Sequence, residues 1–400
     1  MTDTTLPLDG IRVLDFTHNV MGPTAGMLLG DLGAEVIHIE PPAGDATRRL
    51  RGFGSGYFAF YSRNKKSLAV NLKADEGRKI VMGLVRDADV VVENFGPGTM
   101  DRLGYGYDDL KEVTPDIIYC SMKGFLSGPY EKRAAMDEVV QMMSGLAYMT
   151  GKPGEPTRAG TSIIDMGGGM FGLIGILTAL YDREKTGKGT FLKTALFETA
   201  AYFMGQHMAY GALTDEPIPP MPARVSAWSI YRVFECTDGP IFIGIISEKH
   251  WKAFCSAFGR DDWLADERLG SNNDRISERH WLHQAVADMI AEFPRAEVTA
   301  RLDKAGVPFS PIARPEDLYD DPQLNEGLGL LETTLPAGVT TKLPRIPLEM
   351  GDHDFGLHRN PPQIGEDTAA LLAELGYNED EIAALVEEGV VAVEAPSSTV

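Results

Sequence analysis

The feature that most constrains the fold is a repeated alternation of strand and helix patterns between residues 11 and 122. Short, mostly apolar runs predict five strands, at Ile11–Phe16, Ala34–Glu40, Ser67–Leu72, Ala88–Glu93 and Asp116–Met122. Helical patterns lie between them, at Thr24–Gly33 and Asp75–Asp87. Because this alternation is typical of parallel strands joined by crossover helices, we predict an α/β fold with a large, Rossmann-like parallel sheet. The pattern GxGxxG does not follow the first strand, so the usual dinucleotide-binding fingerprint is missing.

The character of the sequence changes after Ala195 and predicts a smaller α+β domain. A helical pattern at Phe197–Leu213 is followed by the proline-rich stretch Asp215–Ala223, which is typical of a linker. Two strand patterns, Ser229–Phe234 and Pro240–Ile246, then flank a hairpin turn signal.

We therefore divide the chain into three segments. Residues 1–222 form the first part of the large domain, residues 223–320 form the small α+β domain, and residues 321–400 return to complete the large domain. The return segment carries extended patterns within Leu331–Leu348 and two short helices within Glu366–Leu385.

Composition excludes several classes of partner. The chain has 37 basic and 58 acidic residues, a net charge of −21, which argues against nucleic acid or an anionic membrane as a partner. Its three cysteines form no CxxC or metal-type spacing, so we predict no metal site and a reducing cytoplasm. The start of the chain lacks the features of a signal peptide. The apolar run Ile163–Tyr181 has spanning length but includes Asp165 and five glycines, so we predict no membrane span.

A single carboxylate stands at the start of that apolar run. Asp165 precedes Gly167, Gly168 and Gly169, and the pattern predicts the beginning of a helix. An acid there faces the positive end of the helix dipole, which favours the anion that a nucleophile needs. The glycines lack side chains, so a ligand could approach the backbone N–H groups. Helix capping by Asp165 is the simpler alternative on this stretch alone.

Two other strand-to-helix joins carry polar residues, at His18–Pro23 and Asn94–Arg102. Because α/β sheets bind ligands at such joins, we group these two with Asp165–Gly169 as candidate site segments.

Several stretches, in this order, resemble family III CoA-transferases, the CaiB/BaiF family. They are Pro7–His18 with Gly22-Pro23, Asn64–Ser67 with Leu72-Lys73, Val92–Gly98 with Asp101–Gly104, Gly160–Gly169 continued into Arg183–Gly189, and Gly365–Thr368. The ordered set is far more specific than any one motif.

The resemblance implies that Asp165 is the catalytic nucleophile. In the family this carboxylate attacks an acyl-CoA thioester, forming an acyl-aspartyl anhydride, and then an aspartyl-CoA thioester transfers CoA to an acceptor carboxylate. Such chemistry needs a dry site and N–H donors for the oxyanions, which Gly167, Gly168 and Gly169 could expose. Coenzyme A is thus a substrate, and no tightly bound cofactor is implied. Family members are interlocked homodimers, so we also expect a homodimer.

The resemblance also implies a set of CoA contacts and a second catalytic residue. These positions are Val70, Lys73, Asn94, Phe95, Gly96, Thr99, Arg102 and Leu103 for CoA, with His18 near the thioester. Each charged member has a simpler alternative. Arg102 could form a salt bridge, Lys73 could be an ordinary exposed lysine, and His18 could be a neutral histidine satisfied within its turn.

Departures from the formyl-CoA:oxalate branch of the family bear on the substrate. Val20 replaces that branch's glutamine, Ala134-Ala135-Met136 replaces Lys-Val-Tyr, and Arg224–Ser229 replaces a glycine loop. We therefore expect a larger or more apolar acyl group; the family's acceptors include dicarboxylates such as succinate and mesaconate.

Two alternative functions remain open. An α-methylacyl-CoA racemase needs two bases, one of them a histidine that is absent from Ala135–Glu138. A non-catalytic CoA-binding protein would need no acid at position 165.

Overall fold

The computed structural model describes residues 5–214, 216–327 and 329–394. The chain divides into two compact units, one drawn from Met1–Pro222 and Pro322–Val400 and the other from Ala223–Asp321. Asp215, the first residue of the predicted linker, lies outside the described residues.

The first part of the large unit alternates strands and helices. Its strands are β1 (Arg12–Asp15), β2 (Glu35–Glu40), β3 (Lys65–Val70), β4 (Val90–Glu93), β5 (Ile118–Lys123) and β6 (Thr190–Ala195). Its helices are α1 (Met21–Asp31), α2 (Gly56–Tyr61), α3 (Asp75–Val85), α4 (Thr99–Leu103), α5 (Tyr107–Lys111), α6 (Asp137–Met143), α7 (Leu146–Thr150), α8 (Ile163–Thr186) and α9 (Leu196–Thr214). Short 3-10 turns occupy Ala46–Arg49, Gly52–Ser55 and Met221–Ala223.

The smaller unit contains a three-stranded antiparallel sheet and five helices. Its strands are β7 (Ile230–Cys236), β8 (Gly239–Ile245) and β9 (Phe309–Pro311), in the order β7-β8-β9. Its helices are α10 (Glu248–Ala257), α11 (Asp261–Ala265), α12 (Asn272–Ser277), α13 (Arg279–Ile290) and α14 (Arg295–Ala305). The predicted hairpin is present as β7 and β8, and the α+β character of this unit is confirmed.

Within its described residues, the return segment adds a hairpin, three helices and the last strand of the large sheet. These elements are α15 (Pro322–Glu326), β10 (Leu330–Thr334), β11 (Thr340–Pro344), α16 (Thr368–Glu374), α17 (Glu379–Glu387) and β12 (Val391–Ala392). The strands β10 and β11 pair with each other in a separate two-stranded sheet.

The large sheet has the order β12-β3-β2-β1-β4-β5-β6. All pairs from β3 to β6 are parallel, and β12 is antiparallel to β3. Strand order therefore reverses between β1 and β4, which is the position where open α/β sheets form a ligand crevice. This topology confirms the predicted Rossmann-like α/β fold.

Both faces of the large sheet are covered. Val13 and Leu14 are adjacent in β1 and belong to opposite cores, because side chains alternate along a strand. One core lies against α1 and α8, and the other lies against α3, α16 and α17.

Three strands of the described chain were absent from our prediction, the short strands β9 and β12 and the longer β6, which lies at an edge of the large sheet. The sequence of β6, Thr-Phe-Leu-Lys-Thr-Ala, carries no continuous apolar run, and only Ala195 is fully buried. An edge strand of this kind is recognised by its pairing with β5 rather than by its own sequence.

Helix α8 is the central helix of the large unit. It is the one helix in the described part of the chain that is long and apolar enough to cross a membrane, and 44% of its most apolar window is buried within the protein. Core helices pass the same test of length and composition. Gly187, with φ of 65°, ends the helix in the left-handed conformation that favours glycine.

Candidate active site

Asp165 lies in the first turn of α8, as predicted, but it does not cap the helix. Ser162 occupies the N-cap position and makes no side-chain capping bond. The backbone N–H groups of Ile164 and Asp165 instead donate to Oδ2 of Asp137, at 2.8 and 3.1 Å. Among the described residues, no hydrogen-bond donor contacts the Asp165 carboxylate, so capping does not account for this acid.

Asp137 is itself held firmly in place. It is the first residue of α6 and is buried, with 7% of its surface exposed. Gln141, one turn later, donates from Nε2 to Asp137 Oδ1 at 2.6 Å, and its Oε1 accepts the N–H of Ala159 at 2.8 Å. The segment that enters α8 is thus fixed at two points by one face of α6.

The protonation of Asp165 differs from our expectation. Its pKa is raised to about 7, first by burial and then by the negative charge of Asp137, while the positive charge of Arg158 opposes the shift. The helix terminus does not keep this carboxyl at an ordinary acidic pKa, because desolvation penalises the charged form. Near neutral pH the Asp165 carboxyl group is therefore partly protonated and partly ionised. The ionised form dominates only at pH values above about 7.

A cavity of about 750 Å³ lies beside this carboxylate, at the carboxyl edge of the sheet. It brings together five of the predicted site residues: His18, Asn94, Phe95, Gly96 and Asp165. The cavity wall also includes Asp137 and Arg158, together with the apolar side chains of Met21, Leu50 and Met136. The three segments that we grouped from the sequence, His18–Pro23, Asn94–Arg102 and Asp165–Gly169, therefore all contribute residues to this one cavity.

His18 and Asn94 lock two of these loops together. The His18 N–H donates to Asn94 Oδ1 at 3.0 Å, and Asn94 Nδ2 donates to the His18 carbonyl at 2.7 Å. The His18 ring packs against Phe95, with 5.2 Å between ring centroids. Burial lowers the pKa of His18, so the ring is neutral at physiological pH.

The remaining predicted CoA contacts do not line this cavity. Thr99, Arg102 and Leu103 lie on α4, which starts directly after the left-handed Gly98. Arg102 donates to Thr99 Oγ1 at 2.9 Å and forms no ion pair with any described acid, so the salt-bridge alternative is not supported.

Val70 and Lys73 lie near the end of β3. Val70 is buried in the core with 1% exposure, so only its backbone could meet a ligand. Lys73 is exposed, as an ordinary surface lysine would be.

The three glycines after Asp165 serve close packing in this structure. All lie within α8, so their N–H groups follow the helical hydrogen-bond pattern. A Cβ added to Gly169 would stand 2.4 Å from the Met21 carbonyl oxygen, and one added to Gly168 would stand 2.7 Å from Met21 Cε. A Cβ at Gly167 would meet Phe203 at 2.7 Å. Helix packing explains these glycines without an oxyanion role, and we do not carry that role forward.

Two residues of the site were missed from the sequence, Asp137 and Arg158. Asp137 precedes an apolar, helical stretch, where an acid is an unremarkable helix-start residue. Its contacts with α8 join positions 27 and 28 residues apart, and no local pattern encodes them. Arg158 stands in a loop between α7 and α8 and gives no periodic signal.

The fold and the site together define a class, an α/β protein with a partly buried carboxylate at a helix start beside a crevice. The sequence model of CoA-transferase family III matches residues 8–368. The chain belongs to CoA-transferase family III, and it is a transferase.

Named relatives and a solved structure agree with this assignment. The chain is 36% identical to acetyl-CoA:oxalate CoA-transferase of Acetobacter aceti, covering 95% of this chain and 100% of the relative. It is 33% identical to succinyl-CoA:glutarate CoA-transferase of Homo sapiens, covering 96% and 90%. It is 32% identical to succinyl-CoA:mesaconate CoA-transferase of Haloarcula hispanica, covering 92% and 96%. The crystal structure of a CaiB/BaiF family protein from Brucella suis superposes with a TM-score of 0.82 at 32% identity, covering 93% and 100%. Because the relatives are named as enzymes, the non-catalytic alternative is set aside.

Proposed function

We propose that this protein moves CoA from an acyl-CoA to an acceptor carboxylic acid through covalent intermediates on Asp165. The observation that carries the proposal is the Asp165 carboxylate, which borders the large cavity without a hydrogen-bond donor among the described residues. A carboxylate that is neither capping nor paired is available to attack.

The proposed reaction has two exchanges. The Asp165 anion attacks the thioester carbon, the C–S bond breaks, and CoA leaves as the thiolate with an acyl-aspartyl anhydride remaining. The thiolate then attacks the aspartyl carbonyl, which releases the donor acid and forms an aspartyl-CoA thioester. The acceptor carboxylate attacks this thioester to form a new anhydride, and the thiolate returns to the acceptor's carbonyl, which frees Asp165.

In this proposal CoA runs along the loop Asn94–Gly96 and the start of α4. The guanidinium of Arg102, which forms no ion pair with a described acid, supplies positive charge for the CoA phosphates, and Lys73 adds charge at the end of β3. Thr99 and Leu103 border the same path, with the backbone of Val70 nearby. His18 is held by Asn94 at the cavity wall, where its neutral ring faces the reacting thioester.

The acceptor is proposed to be a dicarboxylate. The relatives at 32–36% identity are named for oxalate, glutarate and mesaconate, each of which carries two carboxyl groups. The apolar wall formed by Met21, Leu50 and Met136 gives room for an acyl chain longer than formyl.

The direct test replaces Asp165 with Ala and assays CoA transfer between acetyl-CoA or succinyl-CoA and a panel of carboxylates. We expect the variant to lose transfer, and wild-type protein incubated with acyl-CoA to be trapped by hydroxylamine at Asp165. Turnover near the wild-type rate in the variant would refute the assigned role.

A racemase-like proton transfer is the second candidate, because Asp165 and Asp137 form a close pair of acids and Asp165 has a pKa near 7. Incubation of an α-methylacyl-CoA with the protein in D₂O distinguishes the two reactions. Absence of deuterium at the α-carbon rejects the racemase.

We also propose a cytoplasmic homodimer. Large apolar side chains are exposed along α8 and α9, including Ile174, Tyr202, Met208 and Leu213, and a second copy would cover such a surface. The buried free cysteines fit a reducing compartment. Light scattering after size exclusion tests the dimer, which a folded monomer would contradict, and cell fractionation tests the compartment.

A further inference from the structure

We propose that Arg158 recognises the second carboxylate of a dicarboxylic substrate while its first carboxyl group reacts at Asp165. This inference rests on the proposed CoA transfer and names the residue that would select the substrate class. The two residues line the same cavity, and both lie beside Asp137: Arg158 Nη2 is 3.8 Å from Asp137 Oδ1, and the Asp165 N–H donates to Asp137 Oδ2 at 3.1 Å.

The backbone fixes the position of this guanidinium. Arg158 Nε donates to the carbonyl of Ala159 at 3.0 Å, and Nη2 donates to the carbonyl of Thr161 at 3.1 Å. Both carbonyls belong to the segment that leads into α8. The guanidinium is therefore hydrogen-bonded to the same segment that carries the proposed nucleophile. The distance between the guanidinium and the carboxyl group that reacts at Asp165 would thus stay nearly constant.

The guanidinium keeps capacity for a further anion. Its nearest carboxylates are Asp137 Oδ1 at 3.8 Å and Glu138 Oε2 at 3.6 Å, both longer than a hydrogen bond. Among the described residues, Nη1 has no acceptor within hydrogen-bond distance. With about a third of its side-chain surface exposed, Arg158 can donate to a carboxylate in the cavity.

The other positive groups of the cavity are less suitable. Lys123 is engaged by Glu93 at 2.7 Å and by the Phe95 carbonyl at 2.6 Å. Arg133 is exposed and lies over the ring of Tyr130, at 5.6 Å from its centroid. His18 is neutral because burial lowers its pKa. Arg158 is thus the cation of this cavity wall that is both fixed and incompletely bonded.

The experiment compares acids of equal length that differ only in the second carboxylate. Glutarate is paired with valerate and succinate with butyrate, with acetyl-CoA or succinyl-CoA as the donor. We expect Arg158→Gln to lower the ratio of kcat/KM for the dicarboxylates to kcat/KM for the monocarboxylates roughly 10- to 100-fold. Arg158→Lys should recover part of the loss, because it restores the charge without the planar fork.

A control separates this role from a general loss of charge. Arg133→Gln removes a positive charge from the same cavity wall, and it should leave the ratio of dicarboxylate to monocarboxylate activity unchanged. Retained transfer to valerate or butyrate by Arg158→Gln also shows that the variant is folded.

Failure of the Arg158 role and failure of the proposed CoA transfer would give different results. An equal loss for both acid classes in Arg158→Gln, or an unchanged ratio, would overturn the inference while CoA transfer stands. Absence of transfer by the wild-type protein with every donor and acid would instead reject the proposed function.

Discussion

The carboxylate of Asp137 accepts the backbone N–H of Asp165, so one acid holds the backbone of another at the start of α8. The arrangement has two effects. The hydrogen bonds satisfy N–H groups at the helix start, and the negative charge disfavours ionisation of Asp165. Asp137 is thus a positioning residue whose geometry and charge can be tested separately.

Asp137→Asn should keep an oxygen acceptor for the helix start but remove the charge. We expect the acidic limb of the pH profile of kcat/KM to move to lower pH, because the pKa of Asp165 falls. Asp137→Ala should also lower the free energy of unfolding by about 1 kcal/mol through loss of the cap. An unmoved limb in Asp137→Asn, with normal folding by circular dichroism, would contradict the electrostatic role.

The raised pKa of Asp165 predicts a stability change with a definite sign. Between its ordinary pKa of 3.8 and about 7, the unfolded state ionises first, so the carboxyl destabilises the fold increasingly as pH rises. The full cost, roughly 4 kcal/mol at 1.36 kcal/mol per pKa unit, is present above pH 7. Asp165→Asn should therefore be more stable than wild type at pH 8, and the difference should be smaller at pH 5.

Urea unfolding at the two pH values measures that difference. The exposed Asp9 offers a matched control, since Asp9→Asn also removes one negative charge. A stability gain for Asp165→Asn that is equal at pH 5 and pH 8 would show that the carboxyl is not desolvated in the folded protein.

Gly169→Ala should destabilise the packing of α8 against α1. The added methyl group would stand 2.4 Å from a backbone oxygen of Met21, which cannot move as a side-chain end can. We expect a loss of about 1–3 kcal/mol in the free energy of unfolding. Gly205→Ala on α9 is the control, because nothing lies within 4 Å of its added Cβ and helix propensity favours alanine. Equal effects of the two substitutions would argue against the packing role.

Asn94→Ala should separate the two loops that border the cavity. It removes both hydrogen bonds to the His18 backbone, a loss of about 1–3 kcal/mol. Because the proposed CoA path follows this loop, we expect KM for the acyl-CoA to rise more than KM for the acceptor acid. Initial-rate kinetics with both substrates varied give the two constants, and a rise confined to the acid would contradict the CoA path.

Sequence reasoning recovered the elements that carry their own signal. The strands β1 to β5 and the start of α8 follow from apolar runs and helix patterns, and their positions agree with the prediction within a few residues. The edge strand β6 was missed because its stability comes from pairing with β5. The Asp137 contact and the elevated pKa of Asp165 depend on burial and on residues distant in the sequence, which a local pattern does not contain.

The position of β12 in the large sheet determines when the sheet can be completed during protein synthesis. β12 pairs with β3. The backbone N–H of Ser67, within β3, also donates to Asp367, which follows it by 300 residues in the sequence. The ribosome must therefore have made nearly the whole polypeptide before β3 gains its outer neighbour. The unit at 223–321 emerges earlier as a continuous stretch, so a nascent chain can complete it while the sheet that carries Asp165 still lacks an edge.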